Sequence, residues 1–306
     1  MWTEDLRNGT SKGDKRMQLE AECYPCMMNQ ALRAARLSGL SKKRLSEAMQ
    51  AAASILGELD PSGNPPLAAA KLYSFIAEFS GEDNPYEELK EESNRKALLL
   101  LPELRREIES SADPLSLALR AAVAGNIVDF GASENPDDLE DNLRRVLGSE
   151  PFIDHTPRLR SELVEASEAL LICDNAGEIV MDRLLCEVLR SLYPRLNLTA
   201  AVRGGPTIND ATLEDAREVE LDRCCEVIST GLALAGIDLE RSSRRFRETY
   251  HAADVILAKG QGNFETLEDR EENIYLLFQV KCDCVSKYLA AEKGDIVISS
   301  LRSRWQ

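Results

Sequence analysis

Apolar positions recur at intervals of three and four through Ala31–Leu40, Leu45–Leu59, Leu67–Phe79, Tyr86–Ile108 and Leu115–Val123. That spacing marks one buried face on each of a series of helices. Asp60-Pro61-Ser62-Gly63, Ser80-Gly81-Glu82-Asp83-Asn84-Pro85 and Asp113-Pro114 break the pattern between them. Ser41 and Asp113-Pro114 read as helix starts, because a small polar cap and a proline in the first turn suit the unpaired amides there. The pattern then changes. Short apolar runs at Ala169–Cys173, Leu196–Val202, Glu226–Ser229, Asp254–Ala258, Tyr275–Val280 and Asp295–Ser299 predict strands. Helical spacing returns between several of them, at Ile179–Leu192, Ile208–Glu218 and Ser242–His251. Alternating strand and helix predicts an α/β fold, Rossmann-like, with a largely parallel sheet, helices on both faces and an N-terminal helical domain. The expected organisation is a flexible tail over 1–16, a helical cap or bundle over 17–160, and an α/β domain over 161–306.

Composition narrows what such a fold does. The chain has 306 residues, 53 acidic against 37 basic, and a formal charge of −16, which argues against a nucleic-acid polymer as partner. No apolar run is long enough to span a membrane and the start has no secretory apolar segment, so the expectation is a cytoplasmic protein. Eight cysteines in a chain this long fit a reducing compartment better than a disulfide framework. Two histidines, His155 and His251, leave little with which to build a histidine-rich zinc site.

Polar, glycine-bearing loops follow four of the expected strands. They are Asp174-Asn175-Ala176-Gly177-Glu178, Arg203-Gly204-Gly205-Pro206-Thr207-Ile208-Asn209-Asp210, Lys259-Gly260-Gln261-Gly262-Asn263-Phe264-Glu265 and Lys281-Cys282-Asp283. In a parallel sheet these ends share one edge, where open α/β sheets bind ligands. Asp174, Asn175, Asp210, Lys259, Asn263 and Lys281 would then converge in one crevice. Oxygen donors without His or Cys suit a hard dication such as Mg²⁺ or Mn²⁺. A nearby lysine supplies a point charge for a phosphate, and glycine-loop amides hold further oxygens. Each loop taken singly is also an ordinary turn with an Asp cap; it is the four together that point to a site. Gly260-Gln261-Gly262 is no dinucleotide fingerprint, since a third glycine is missing and the strand before it comes late in the sheet.

Three further features compete for attention. Cys23-Tyr24-Pro25-Cys26 and Cys282-Asp283-Cys284 have the residue types of a zinc or redox site, and also of plain small core residues. Arg241-Ser242-Ser243-Arg244-Arg245-Phe246-Arg247 reads as a solvated helix face. Gly125-Asn126-Ile127-Val128-Asp129 either ends a helix or sends Asn126 or Asp129 from the cap domain into the crevice.

The set Cys23-x-x-Cys26, Gly125-Asn126-x-x-Asp129, Asp174-Asn175-Ala176-Gly177-Glu178, Arg203-Gly204-x-Pro206-x-x-Asn209-Asp210, Lys259-Gly260-Gln261-Gly262-Asn263-x-Glu265 and Lys281-Cys282 resembles the DUF89 damage-control phosphatases. It is closest to the subgroup with an N-terminal C-x-x-C, from about residue 18 onward. The resemblance implies a metal-dependent phosphatase acting on phosphate monoesters of small metabolites, among them nucleotides, sugar phosphates and phosphopantetheine-like compounds. It implies a divalent metal (Mg²⁺, Mn²⁺, Co²⁺ or Ni²⁺) held by Asp174, Asn175 and Asp210, with Lys281 on the substrate phosphate. Asp174, Asp210 and Lys281 would carry the chemistry, and Cys23 and Cys26 are counted with them because the subgroup's C-x-x-C matters for activity. Asn126, Arg203, Asn209, Lys259, Gly262, Asn263 and Glu265 are expected on the substrate side. The Arg-Thr-x-Lys string of the eukaryotic sugar-phosphate branch is absent. Two rival readings are a Rossmann-like methyltransferase using S-adenosylmethionine and a non-enzymatic zinc-stabilised binding module.

Overall fold

A computed structural model of the chain describes residues 16–125, 144 and 147–303. The helical half begins with α1 (Cys23–Leu37), α2 (Lys42–Gly57) and α3 (Pro65–Ser80), followed by α4 (Glu87–Ser110) and α5 (Pro114–Ala124). Ser41 and Asp113 cap α2 and α5, each accepting from a backbone amide of the first turn. Gly81 closes α3 at φ 75°, a left-handed position in which a side chain would be strained.

The sheet has seven strands: β1 (Ile153–Asp154), β2 (Glu168–Ile172), β3 (Asn197–Val202), β4 (Glu226–Ser229), β5 (Val255–Lys259), β6 (Ile274–Gln279) and β7 (Ile296–Ser300). The helices between them are α6 (Thr156–Glu165), α7 (Glu178–Leu192), α8 (Leu213–Glu218), α9 (Arg244–Ala252), α10 (Gln261–Leu267) and α11 (Asp283–Leu289). Strand order is β1-β7-β6-β5-β2-β3-β4, and all neighbours are parallel except β6 with β7. The chain runs outward from β2 through β3 to β4 and then returns to the other side of β2 as β5. The order reverses between β2 and β5, which opens a crevice at their carboxyl ends.

Three buried clusters account for the layers. One face of the sheet packs Ala169, Leu171, Val255 and Leu257 against α5, α7 and the C-terminal half of α4. Helices α4 and α5 precede residue 160 in the chain but belong to the layer covering the sheet. The other face packs Leu170, Ile172, Ile256 and Ala258 against Phe246 of α9, Phe264 of α10 and Val285 of α11. A third cluster joins α1, α2 and α3 through Ala31, Ala35, Ala48 and Leu72. Asn64, just before α3, donates to the Glu265 carbonyl of α10 at 2.6 Å and ties this three-helix unit to the sheet's carboxyl edge. Among the described residues no helix is long and apolar enough to cross a membrane.

Several expected elements shift. The helix expected at Ile208–Glu218 begins only at Leu213, because Ile208 sits at φ 38° and Asp210–Thr212 run extended, bridging to Asn175 and Arg203. The stretch after Lys259, expected as a loop, is mostly α10. Strand β1 and helices α6 and α11 add elements that the apolar pattern did not single out.

Candidate active site

A cavity of about 380 Å³ lies where α1 and α3 meet the carboxyl ends of β2, β5 and β6. Asp174, Asn175, Asn209 and Asp210 line it from the sheet, joined by Gly262, Glu265 and Lys281. Cys23 and Cys26 line it from α1. Asn126, expected beside them, and Asp129 lie outside the described residues, although Gly125 reaches the cavity.

The two aspartates are drawn together by one buried arginine. Arg203 Nε donates to Asp210 Oδ2 at 2.6 Å and Nη2 to Asp174 Oδ1 at 3.2 Å. Its Nη1 donates to Asn263 Oδ1 at 3.0 Å and to the Gly236 carbonyl at 3.1 Å. The planar fork suits such a task, since its donors diverge at fixed angles. Arg203 is 1 % exposed and Asn263 0 %, and neither lines the cavity. These two residues, expected on the substrate, instead stand behind the carboxylates and set their positions. Burial and the neighbouring Asp174 charge push the Asp210 carboxyl up to about 7 against the pull of Arg203.

Lys259 also departs from expectation. Its ammonium is fully buried on the far side of β5, donating to Glu178 Oε1 and Asp182 Oδ1, each at 2.6 Å, and to the Ala122 carbonyl at 2.8 Å. The cause is strand parity: Val255, Leu257 and Lys259 share the face that packs on α5 and α7. Burial pushes the Glu178 and Asp182 carboxyls up while both anions hold Lys259 in its charged form.

Four parts of the frame are not among the expected site residues. Asn94 of α4, 0 % exposed, accepts from Gly177 N–H at 2.7 Å and donates to Glu218 at 2.6 Å and Asp215 at 3.1 Å. Beside it, Lys90 pairs with Asp215 at 2.6 Å. Gly260 lets β5 pass against Asp174, where an added β-carbon would fall 2.0 Å from Oδ2. Ile208 carries a positive φ that is rare for a β-branched residue, on the loop that delivers Asn209 and Asp210.

The donors fit a hard divalent cation. Asn175 Nδ2 donates to Asp174 Oδ2 at 2.9 Å and to Glu178 Oε2 at 3.4 Å, so the amide's carbonyl end is the one turned away from those carboxylates. Two carboxylates and that carbonyl make an all-oxygen set, and the raised Asp210 carboxyl marks a place where further positive charge is stabilising. Among the described residues no group of three or more His, Cys, Asp or Glu is arranged to hold a metal ion, so the set depends on the Asn175 amide. The same observation leaves the zinc-module reading without a cage.

Comparison with known proteins places this arrangement. A damage-control phosphatase of Pyrococcus horikoshii is 34 % identical over 283 residues, covering 92 % of this chain and 97 % of its own. A damage-control phosphatase of Archaeoglobus fulgidus is 30 % identical over 288 residues, covering 92 % and 98 %. The crystal structure of a DUF89 family protein from Pyrococcus horikoshii superposes with a TM-score of 0.88 at 33 % identity, covering 93 % of this chain and 99 % of that one. The profile of the damage-control phosphatase ARMT1-like domain matches residues 19–297, a span holding the helical half, the sheet as far as the start of β7 and every residue around the cavity, and the chain belongs to that family.

Proposed function

We propose that this protein is a metal-dependent phosphatase that hydrolyses phosphate monoesters of small metabolites, damaged or surplus nucleotides, sugar phosphates or phosphopantetheine-like compounds, in metabolite damage control. The observation that carries the reading is the meeting of Asp174, Asn175, Asp210 and Lys281 on one cavity at the point where the strand order reverses. The named relatives support the phosphatase class. Asp174, Asn175 and Asp210 would hold the metal ion, which supplies Lewis-acid polarisation of a phosphoryl oxygen and a more acidic bound water. Lys281 offers a point charge to the equatorial oxygens of the phosphoryl group. Arg203 keeps both carboxylates from swinging apart, and Asn94 pins the turn that carries Asn175 through the Gly177 amide. Helices α1 and α3 close the opposite side, so the part of the substrate beyond its phosphate meets Tyr73, Gln30 and Met27.

Phosphate release from a panel of phosphomonoesters tests this, using metal-stripped protein with Mg²⁺, Mn²⁺, Co²⁺ or Ni²⁺ added back. Turnover of a subset, abolished by EDTA and by Asp210→Ala in a folded variant, is the expected result. A folded sample that releases no phosphate with any metal would overturn the reading. Binding of S-adenosylmethionine by that sample would favour the methyltransferase.

A further inference from the structure

The two cysteine motifs, near opposite ends of the chain, meet on the cavity wall that also carries Lys281. Cys23 is the first residue of α1 and Cys284 the second of α11. Their Sγ atoms lie 3.8 Å apart across 261 positions of sequence. Cys282 accepts from Gln261 Nε2 at 3.3 Å, and Cys26 is exposed. Because no three of these thiols are arranged around a metal position, the cluster is a contact pair with two companions, not a cage. A second close pair, Cys186 and Cys225 at 4.0 Å, offers a comparison. There Cys186 is fully buried and neither thiol lines the cavity. Both pairs have proximity, but Cys23 and Cys284 line the cavity, whereas Cys186 is fully buried and Cys225 is half-buried away from it.

We propose that Cys23 and Cys284 form an oxidisable dithiol, converted to a disulfide by low-molecular-weight disulfides that enter the cavity. The Cys23 thiolate attacks one sulfur of the small disulfide, whose S–S bond breaks and whose other half leaves as a thiol after taking up a proton. The Cys284 thiolate then attacks the Cys23 sulfur of the mixed disulfide and expels the second small thiol. Two protein thiols lose two protons and two electrons, and the oxidant takes both up to become two thiols. The ionisable groups around the pair are Cys26, Cys282, Glu265, and Glu22 with its partner Lys287. Burial pushes both thiols up, so the exchange is slow at neutral pH. The new bond ties the first turn of α1 to the segment following Lys281 and staples the helical unit to the sheet across the cavity.

The test uses the full chain, reduced, equilibrated with hydroxyethyl disulfide, alkylated, and mapped by peptide mass spectrometry without reduction. The expected result is a linked peptide joining Cys23 to Cys284, with Cys186 and Cys225 still alkylated as free thiols. The melting temperature rises by on the order of 5 °C and returns with dithiothreitol, because the bond closes a very long loop of the unfolded chain. Cys284→Ser loses the linked peptide and the shift, and retains a mixed disulfide on Cys23. Cys23→Ser, as the second variant, loses all three signals. Several outcomes overturn the proposal: a Cys23–Cys26 bridge, mixed disulfides alone, Cys186–Cys225 oxidising as readily, or stoichiometric metal protecting all four cavity thiols. No readout here is phosphatase activity, so a negative result leaves the proposed function standing.

Discussion

Gly260→Ala perturbs the site without removing any charged group. Gly260 has φ 80° and ψ 160°, a region open in practice only to glycine, and a side chain there costs about 1–3 kcal/mol. The larger effect is steric. The new β-carbon would lie 2.0 Å from Asp174 Oδ2 and 2.2 Å from its Cγ. Non-bonded carbon contacts settle near 3.5 Å, so the carboxylate has to retreat by roughly 1 Å or more. A misplacement of that size in a reacting group costs about 10²-fold in rate. The variant is therefore expected to fold, to melt a few degrees lower, and to lose about 10²-fold in kcat/KM for phosphate release. Calorimetric titration should show weaker binding of the activating metal. Gly204→Ala is the control, because its β-carbon would meet the Gly231 backbone at 2.6 Å or closer, away from the carboxylates, and so costs stability foremost. A Gly260→Ala protein that folds and keeps kcat/KM within threefold of the parent would refute the reasoning.

Two further predictions use the buried charges. Lys259→Met leaves Glu178 and Asp182 without their cation and should cost about 3–5 kcal/mol in urea unfolding. Both carboxyls then stay protonated in the folded chain and ionise on unfolding, so the loss is smaller at pH 5 than at pH 8; a pH-independent loss would count against it. Burial pushes the Glu265 carboxyl up from 4.5 to about 7. A raised carboxyl stabilises the folded chain fully below its unfolded value, and that contribution disappears as pH rises through about 7. Glu265→Gln should remove that part of the decline between pH 4.5 and 7 in thermal melts, and parallel curves for parent and variant would show the idea to be mistaken.

How far the sequence could be read depended on whether a signal was local. The apolar runs of β2, β3, β5, β6 and β7 were visible because these inner strands are buried on both faces. The site's strand ends followed, because topology puts parallel ends on one edge. Direction was harder. Lys259 and Arg203 read as cationic ends available to a substrate, yet Lys259 continues the Val255–Leu257 face and points into the helix layer. Counting strand parity back from the apolar residues would have shown this. The role of α4 was hidden by polarity: Lys90 and Asn94 sit on the same three-four stripe as Ala97, Leu101, Leu104 and Ile108, and all are buried. A polar residue on the buried stripe of a helix is the signal that was missed. The pairing of Cys23 with Cys284 has no local signature, since only the folded sheet brings residues 261 positions apart together.

The cavity is completed by elements that follow β5 in the sequence. Pairing of β2 with β3 brings Asp174 and Asp210 onto neighbouring strand ends, but Asn263 and Gly260 beside them follow β5, the wall bearing Lys281 requires β6, and β1 waits for β7. Such long-range pairing closes late and slowly. A nascent or truncated chain ending before β6 therefore carries both aspartates but no complete cavity. Phosphatase activity is therefore expected only from chains that extend through Lys281.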